Sequence, residues 1–153
     1  MTKVMIAAGV ALALFAGACG DQPPTDQVGG GGTPGGPETI QVQSEDYKYG
    51  GVPETLPAGA VTFMFENVGQ EPHEFSLVRI KGDHSVEELV SLPRKQSQKL
   101  IEPVGGTFAK PGQVGKPLRA ELSPGRYGYA CFIPTKDGTP HAALGMYGGF
   151  TVA

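Results

Sequence analysis

The chemistry open to this chain rests on very few side chains. Its 153 residues include two Cys, three His and four Met. Cys131, His141 and Met146 follow one another closely, with Thr135 to Pro140 as an excursion between the first two. Upstream, His73 follows Asn67-Val68-Gly69-Gln70-Glu71-Pro72, just ahead of a β-rich stretch. A thiolate, two imidazoles and a thioether form a donor set that suits copper. The sulfur ligands are soft, and imidazole accepts either oxidation state of the ion. Plainer readings exist for each member. Cys131 can be a buried small hydrophobe, and Met146 simple core packing. A lone His such as His73 is by default structural or at the surface. Zinc on Cys and His would give a redox-silent structural site. A Cys131–His141 nucleophile pair is conceivable, but no oxyanion-hole or nucleophile-elbow motif accompanies it. His84, in the Gly82-Asp83-His84 loop, is left out of the set. Three His and one domain Cys are too few for a multicopper oxidase or a two-Cys binuclear copper centre.

The first segment bears on Cys131. Lys3 precedes an apolar run, Val4 to Ala18, that ends in Ala16-Gly17-Ala18 and then Cys19. The run reads as a secretory signal over residues 1–19, too short for a comfortable membrane span. The small residues before Cys19 resemble a bacterial lipobox, in which the Cys is lipidated and becomes the mature N-terminus. An ordinary signal peptide, with Cys19 incidental, is the alternative. With Cys19 lipidated, Cys131 has no disulfide partner in the chain. An odd Cys in an exported protein needs an explanation, and a thiolate ligand is one. Residues 20–37 hold Gly29 to Gly32 and Gly35-Gly36-Pro37, almost without apolar residues, and read as a flexible tether. No strand precedes that Gly run and no Lys-Ser or Lys-Thr follows it, so it is not a phosphate-cradling loop. A formal net charge of -3 offers no electrostatic case for nucleic acid.

A domain over residues 38–153 must position the four side chains. Thr39 to Gln43 and Val61 to Asn67 alternate with period two. Phe75 to Ile80, Leu118 to Leu122, Tyr127 to Phe132 and Gly149 to Val152 are further strand candidates. Pro57-Ala58-Gly59 and Pro124-Gly125 punctuate them. Short strands at regular spacing with such turns predict an all-β sandwich or barrel. Ser85 and Glu88 form a capping box, with Val86, Leu89 and Val90 on one face, which predicts one short inserted helix. Gly105 to Lys116 reads as a long Gly/Pro-rich loop.

Two blocks carry a resemblance to a known family. One is Phe65-Glu66-Asn67-Val68-Gly69 through Pro72-His73. The other is Tyr127-x-Tyr129-x-Cys131, then Pro140-His141-Ala142-Ala143-Leu144-Gly145-Met146, closing with Gly149-Phe150-Thr151-Val152. With Leu56-Pro57-Ala58-Gly59 before a strand, they resemble the plastocyanin branch of the cupredoxins. The likeness covers most of residues 39–153 and is weakest between Gly82 and Lys116. It implies a Greek-key β-sandwich and a single type 1 copper ion near one end. Cys131 would be the thiolate ligand, His73 and His141 the equatorial imidazoles, and Met146 the axial ligand. This chain departs from the family in three places. Thr135 to Pro140 lengthens the Cys-to-His interval. Glu74 stands where Asn is common, and Phe132 where a hydroxyl residue is common. In the family those last two positions support the site by hydrogen bonds. The resemblance implies a one-electron carrier and not an enzyme. The export signal sets it in the cell envelope as a lipid-anchored monomer on the extracytoplasmic side, serving envelope redox partners. A non-redox copper carrier or sensor, and a metal-free interaction domain, are the competing readings.

Overall fold

The computed structural model describes residues 37–153. The signal segment, Cys19 and nearly all of the tether lie outside the described residues. Alternation sets the strands. In β1 (Glu38–Glu45), Ile40, Val42 and Ser44 point inward, and in β4 (Gly59–Asn67) Val61, Phe63, Phe65 and Asn67 do. That is the two-residue period of a sheet with one buried face. The other strands are β2 (Lys48–Gly50), β3 (Thr55–Leu56), β5 (His73–Ile80), β6 (Ile101–Ala109), β7 (Leu118–Leu122), β8 (Gly125–Ala130) and β9 (Tyr147–Val152).

These strands form two sheets. One runs β2-β1-β4-β7 and the other β3-β9-β8-β5-β6. The β1–β4 and β3–β9 pairs are parallel, and the remaining pairs antiparallel. The chain changes sheet after β2, β3, β4, β6 and β7. The result is an all-β sandwich. Between its layers Phe63, Phe65 and Phe75 are fully buried, with Tyr127, Tyr129 and Phe150 packed beside them. The Tyr127 and Phe150 rings stack with centroids 5.2 Å apart. Burying each such ring contributes roughly 1.5–3 kcal/mol, which makes this cluster the main stabiliser of the sandwich.

The region after β5 corrects two expectations. Residues 105–109 are not part of the loop; they belong to β6, an edge strand paired antiparallel to β5 along its length. Pro103 is tolerated there because an edge strand has one side without ladder bonds. Gly106 lets the two backbones sit close: a Cβ there would lie 3.4 Å from the Phe75 carbonyl oxygen. Only residues 110–117 remain loop. The single expected helix is two, α1 (Val86–Ser91) and α2 (Arg94–Ser97). Ser85 caps α1 by accepting from the Glu88 N–H, as the capping box predicts. Pro93 separates the two helices and removes the N–H that would have carried α1 onward.

The parallel pairing of β1 and β4 brings their C-terminal ends together at Ser44 and Asn67. The start of β5 and the end of β8 come to the same pole, since Ser76 pairs with Ala130. The β1–β2, β4–β5 and β8–β9 connections therefore meet at one end of the sandwich.

Candidate metal centre

Three of the four sequence-selected side chains meet at that end. His73 begins β5, Cys131 directly follows β8, and His141 opens a 3₁₀ turn, His141–Leu144. All three are fully buried. His73 Nδ1 lies 3.1 Å from His141 Nδ1, and Cys131 Sγ lies 3.4 Å from His141 Nδ1. The donor atoms of the three residues all fall within 4.8 Å of one another. His84 stays outside, paired with Glu88 on the exposed face of α1.

Backbone hydrogen bonds hold the loop that carries Cys131, His141 and Met146. The Ala142 N–H donates to the Cys131 carbonyl at 2.7 Å, and the His141 N–H to Ile133 at 3.0 Å. Met146 donates its N–H to the His141 carbonyl at 3.0 Å and accepts from the Cys131 N–H at 3.1 Å. Gly145, with φ of 99°, ends the 3₁₀ turn in the left-handed region and lets the chain reverse into Met146. The Met146 side chain is fully buried. The excursion between Cys131 and His141 closes on itself. Pro134 pairs with Pro140, the Thr135 N–H donates to Thr139, and the Asp137 carboxylate accepts from the Thr139 N–H and the Thr135 hydroxyl. The extra residues thus leave as a small hairpin and return without displacing His141.

Glu74 supplies the support expected of other residue types. Its N–H donates to Cys131 Sγ at 3.5 Å, and its Oε1 accepts from the Phe132 N–H at 2.9 Å. One residue thus ties β5 to both Cys131 and the residue after it. Position 132 needs no hydroxyl for this, and its Phe side chain stands largely exposed.

Three polar residues that single-residue reasoning passed over shape the site. Asn67 is fully buried. Its side-chain amide donates to the Glu71 and Ala109 carbonyls at 2.7 and 3.0 Å and accepts from the Gly69 N–H at 2.9 Å. It pins the β4–β5 loop that delivers His73. Asp46, in the β1–β2 turn, places Oδ1 3.1 Å from His73 Nε2 and accepts from the Gln70 and Glu71 N–H groups. Glu71 places Oε2 2.9 Å from His141 Nε2, but off the line of the ring N–H, so that nitrogen makes no hydrogen bond. Asn67 and Glu71 sit inside the motif before His73. Asp46 lies 27 residues from its partner, and nothing local marks it.

The electrostatics follow from burial. Burial pulls the His73 pKa below its ordinary value, against the Asp46 hydrogen bond. Burial pushes the Cys131 thiol up, against the Glu74 and Ile133 N–H groups. Burial would raise the Asp46 carboxyl as well, but hydrogen bonds from His73, Gln70 and Glu71 hold it below the usual range. Assigning the tautomers from these partners puts a proton on His73 Nε2, because a carboxylate can only accept. The Glu71 carboxylate favours the same tautomer for His141. Both Nδ1 lone pairs then point at each other across 3.1 Å. Two acceptors at that distance repel unless a cation lies between them. A shared proton would need a buried imidazolium, which burial disfavours. A metal ion bound at about 2.0–2.3 Å by nitrogen and sulfur suits a cluster this tight.

No family model matches the chain, and no curated protein does. Solved structures do. An auracyanin from the photosynthetic bacterium Roseiflexus castenholzii, in dithionite-reduced form, aligns with a TM-score of 0.53 at 25% identity, over 78% of this chain and 99% of its own. Auracyanin B aligns with a TM-score of 0.55 at 20% identity, over 76% of this chain and 88% of its own. Auracyanin A, a "blue" copper protein from the green thermophilic photosynthetic bacterium Chloroflexus aurantiacus, aligns with a TM-score of 0.51 at 23% identity, over 77% of this chain and all of its own. These likenesses show that the chain has the cupredoxin-like β-sandwich fold, and the buried His–Cys–His cluster lies at one end of it.

Proposed function

We propose that this protein is a one-electron carrier that holds a single copper ion through His73, Cys131, His141 and Met146. The carrying observation is the pair of imidazoles. Their Nδ1 atoms face each other beside a thiol, while both Nε2 atoms face carboxylates. With both protons on Nε2, a cation at the centre would meet the two Nδ1 lone pairs and the sulfur together. Cys and two His favour copper over a hard ion, and Met146, the residue next to β9, would add a weak thioether donor. A copper ion bound there supplies a reversible one-electron couple. The protein residues hold the donors rigid, exclude water and so keep reorganisation on electron transfer small. The blue-copper character of auracyanin A supports the same assignment.

The N-terminal features complete the reading. Export through residues 1–19, lipidation at Cys19 and a tether over residues 20–37 would hold the domain, residues 38–153, at the extracytoplasmic face of a membrane. There it would serve envelope redox proteins as a monomer. Among the described residues no helix is long and apolar enough to cross a membrane. Adding Cu(II) to the purified protein should give an intense thiolate-to-copper visible band at one ion per chain. A colourless or non-stoichiometric product would sink the copper reading. A mature protein without added mass on Cys19 would sink the lipid anchor.

A further inference from the structure

Two carboxylates stand behind the two imidazoles, and neither belongs to the proposed ligand set. Asp46 Oδ1 lies 3.1 Å from His73 Nε2, and Glu71 Oε2 lies 2.9 Å from His141 Nε2. The imidazole side chains are fully buried, and each carboxylate is about two-thirds buried. Among the described residues neither carboxylate pairs with a Lys or Arg. Among the described residues the basic side chains that face them are therefore the imidazoles. The two acids come from different loops, and the backbone aims them. Asp46 also accepts from the Gln70 and Glu71 N–H groups, which links the β1–β2 turn to the loop bearing Glu71. Gly69 keeps the contact open: a Cβ there would lie 2.5 Å from Asp46 Oδ1 and 3.0 Å from His73 Nε2. Tyr47 covers the other side, its ring edge-on to His141 with centroids 5.2 Å apart and its hydroxyl near Glu71.

We propose that Asp46 and Glu71 are positioning residues that fix both imidazoles by their Nε2 atoms and bias the bound ion toward its oxidised state. The inference rests on the copper reading above. An Nε2–H facing a carboxylate leaves Nδ1 as the only free donor and makes that donor more basic. Two negative charges without a Lys or Arg partner also favour the higher of two cation charges, by an amount that the exposed third of each carboxylate moderates. When a reduced partner protein delivers one electron, the ion falls from a charge of two to one and the partner is oxidised. The carboxylates lose attraction in that step. The same ligand set without them would therefore accept the electron more readily.

The test uses the full chain, Cu(II) and Cu(I) as the probes, and the variants Asp46→Asn, Glu71→Gln and the double variant. Each substitution keeps an oxygen beside Nε2, which at Asp46 can still accept the His73 hydrogen bond, and removes the charge. Cu(II) affinity should fall 10–100-fold for each variant, the usual effect of losing such a partner. Cu(I) affinity should fall less, and the midpoint potential should rise by about 59 mV for each tenfold difference between the two losses. The visible band should persist in all three. A variant that fails to fold would show in far-ultraviolet circular dichroism, and Asp46→Glu, which restores the charge, should then return the low potential. A blue wild type whose variants keep its potential overturns this inference alone. A wild type that binds no copper overturns the copper reading, and this inference with it.

Discussion

Asn67→Ala is the sharpest test of how the fold delivers His73. The side chain is fully buried and makes three hydrogen bonds, to the Glu71 carbonyl, the Ala109 carbonyl and the Gly69 N–H. Truncation removes all three and leaves the last two partners buried without replacement. An orphaned buried group costs roughly 1–3 kcal/mol, so two orphans set the loss at about 3 kcal/mol after partial entry of water. In a domain of this size that lowers Tm by about 12 °C. Thermal unfolding of the metal-free protein, followed by circular dichroism, reads the loss directly. Asn67→Asp is the informative companion. It keeps the acceptor for the Gly69 N–H but sets a negative oxygen against two carbonyl oxygens, so it should be at least as damaging as Ala. The copper affinity of Asn67→Ala should fall too, because the loop that carries Glu71 and His73 loses its internal tie. A stability loss below about 1 kcal/mol for Asn67→Ala would refute the claim that this amide organises the site loop.

Cys131→Ser should abolish the visible band, whereas Met146→Leu should keep it and shift the midpoint potential, since a thioether would be the weakest of the four donors. Saturating the protein with copper at a hundred times its Kd should add about 2.7 kcal/mol to unfolding stability; an unchanged Tm would instead favour a metal-free interaction domain. Phe63→Ala should cost about 3–5 kcal/mol, measured by denaturant unfolding, because the ring is fully buried between the sheets. The metal-free protein should lose stability as pH falls below about 6.5. The His73 pKa is lowered in the fold, so the unfolded chain takes up the extra proton first, and acid favours unfolding. His73→Gln should flatten that part of the stability–pH curve, and an unaltered curve would count against a buried neutral imidazole.

Much of this architecture can be read from the chain because its signals are local. Alternation in β1 and β4 exposes one face and buries the other, so period-two reading finds both. The ligand types stand out because the chain has so few of them. Strand β6 escaped because its evidence is not local: Pro103, Gly105 and Gly106 look like loop residues, and only pairing with β5 makes them a strand. Strands β2 and β3 are three and two residues long, too short to show a period. Asp46 and Glu71 escaped for another reason. Acidic residues near turns are ordinary, and their meaning comes from a partner ring delivered by a different loop. Glu74 shows the reverse error, in which a departure from a family preference hid a residue able to do the same work through its own carboxylate and N–H.

The small hairpin between Pro134 and Pro140 makes the rim of this centre modular. Its tip residues bond to one another, while the bonds that seat the Cys131 and His141 segments lie outside it. Residues from Thr135 to Thr139 are therefore free to diverge, lengthen or accept a reporter group without retuning the buried donors. Because the tip carries Lys136 and Asp137 into solvent beside the covered His141, it is where the chain can acquire new docking preferences while its redox chemistry stays constant.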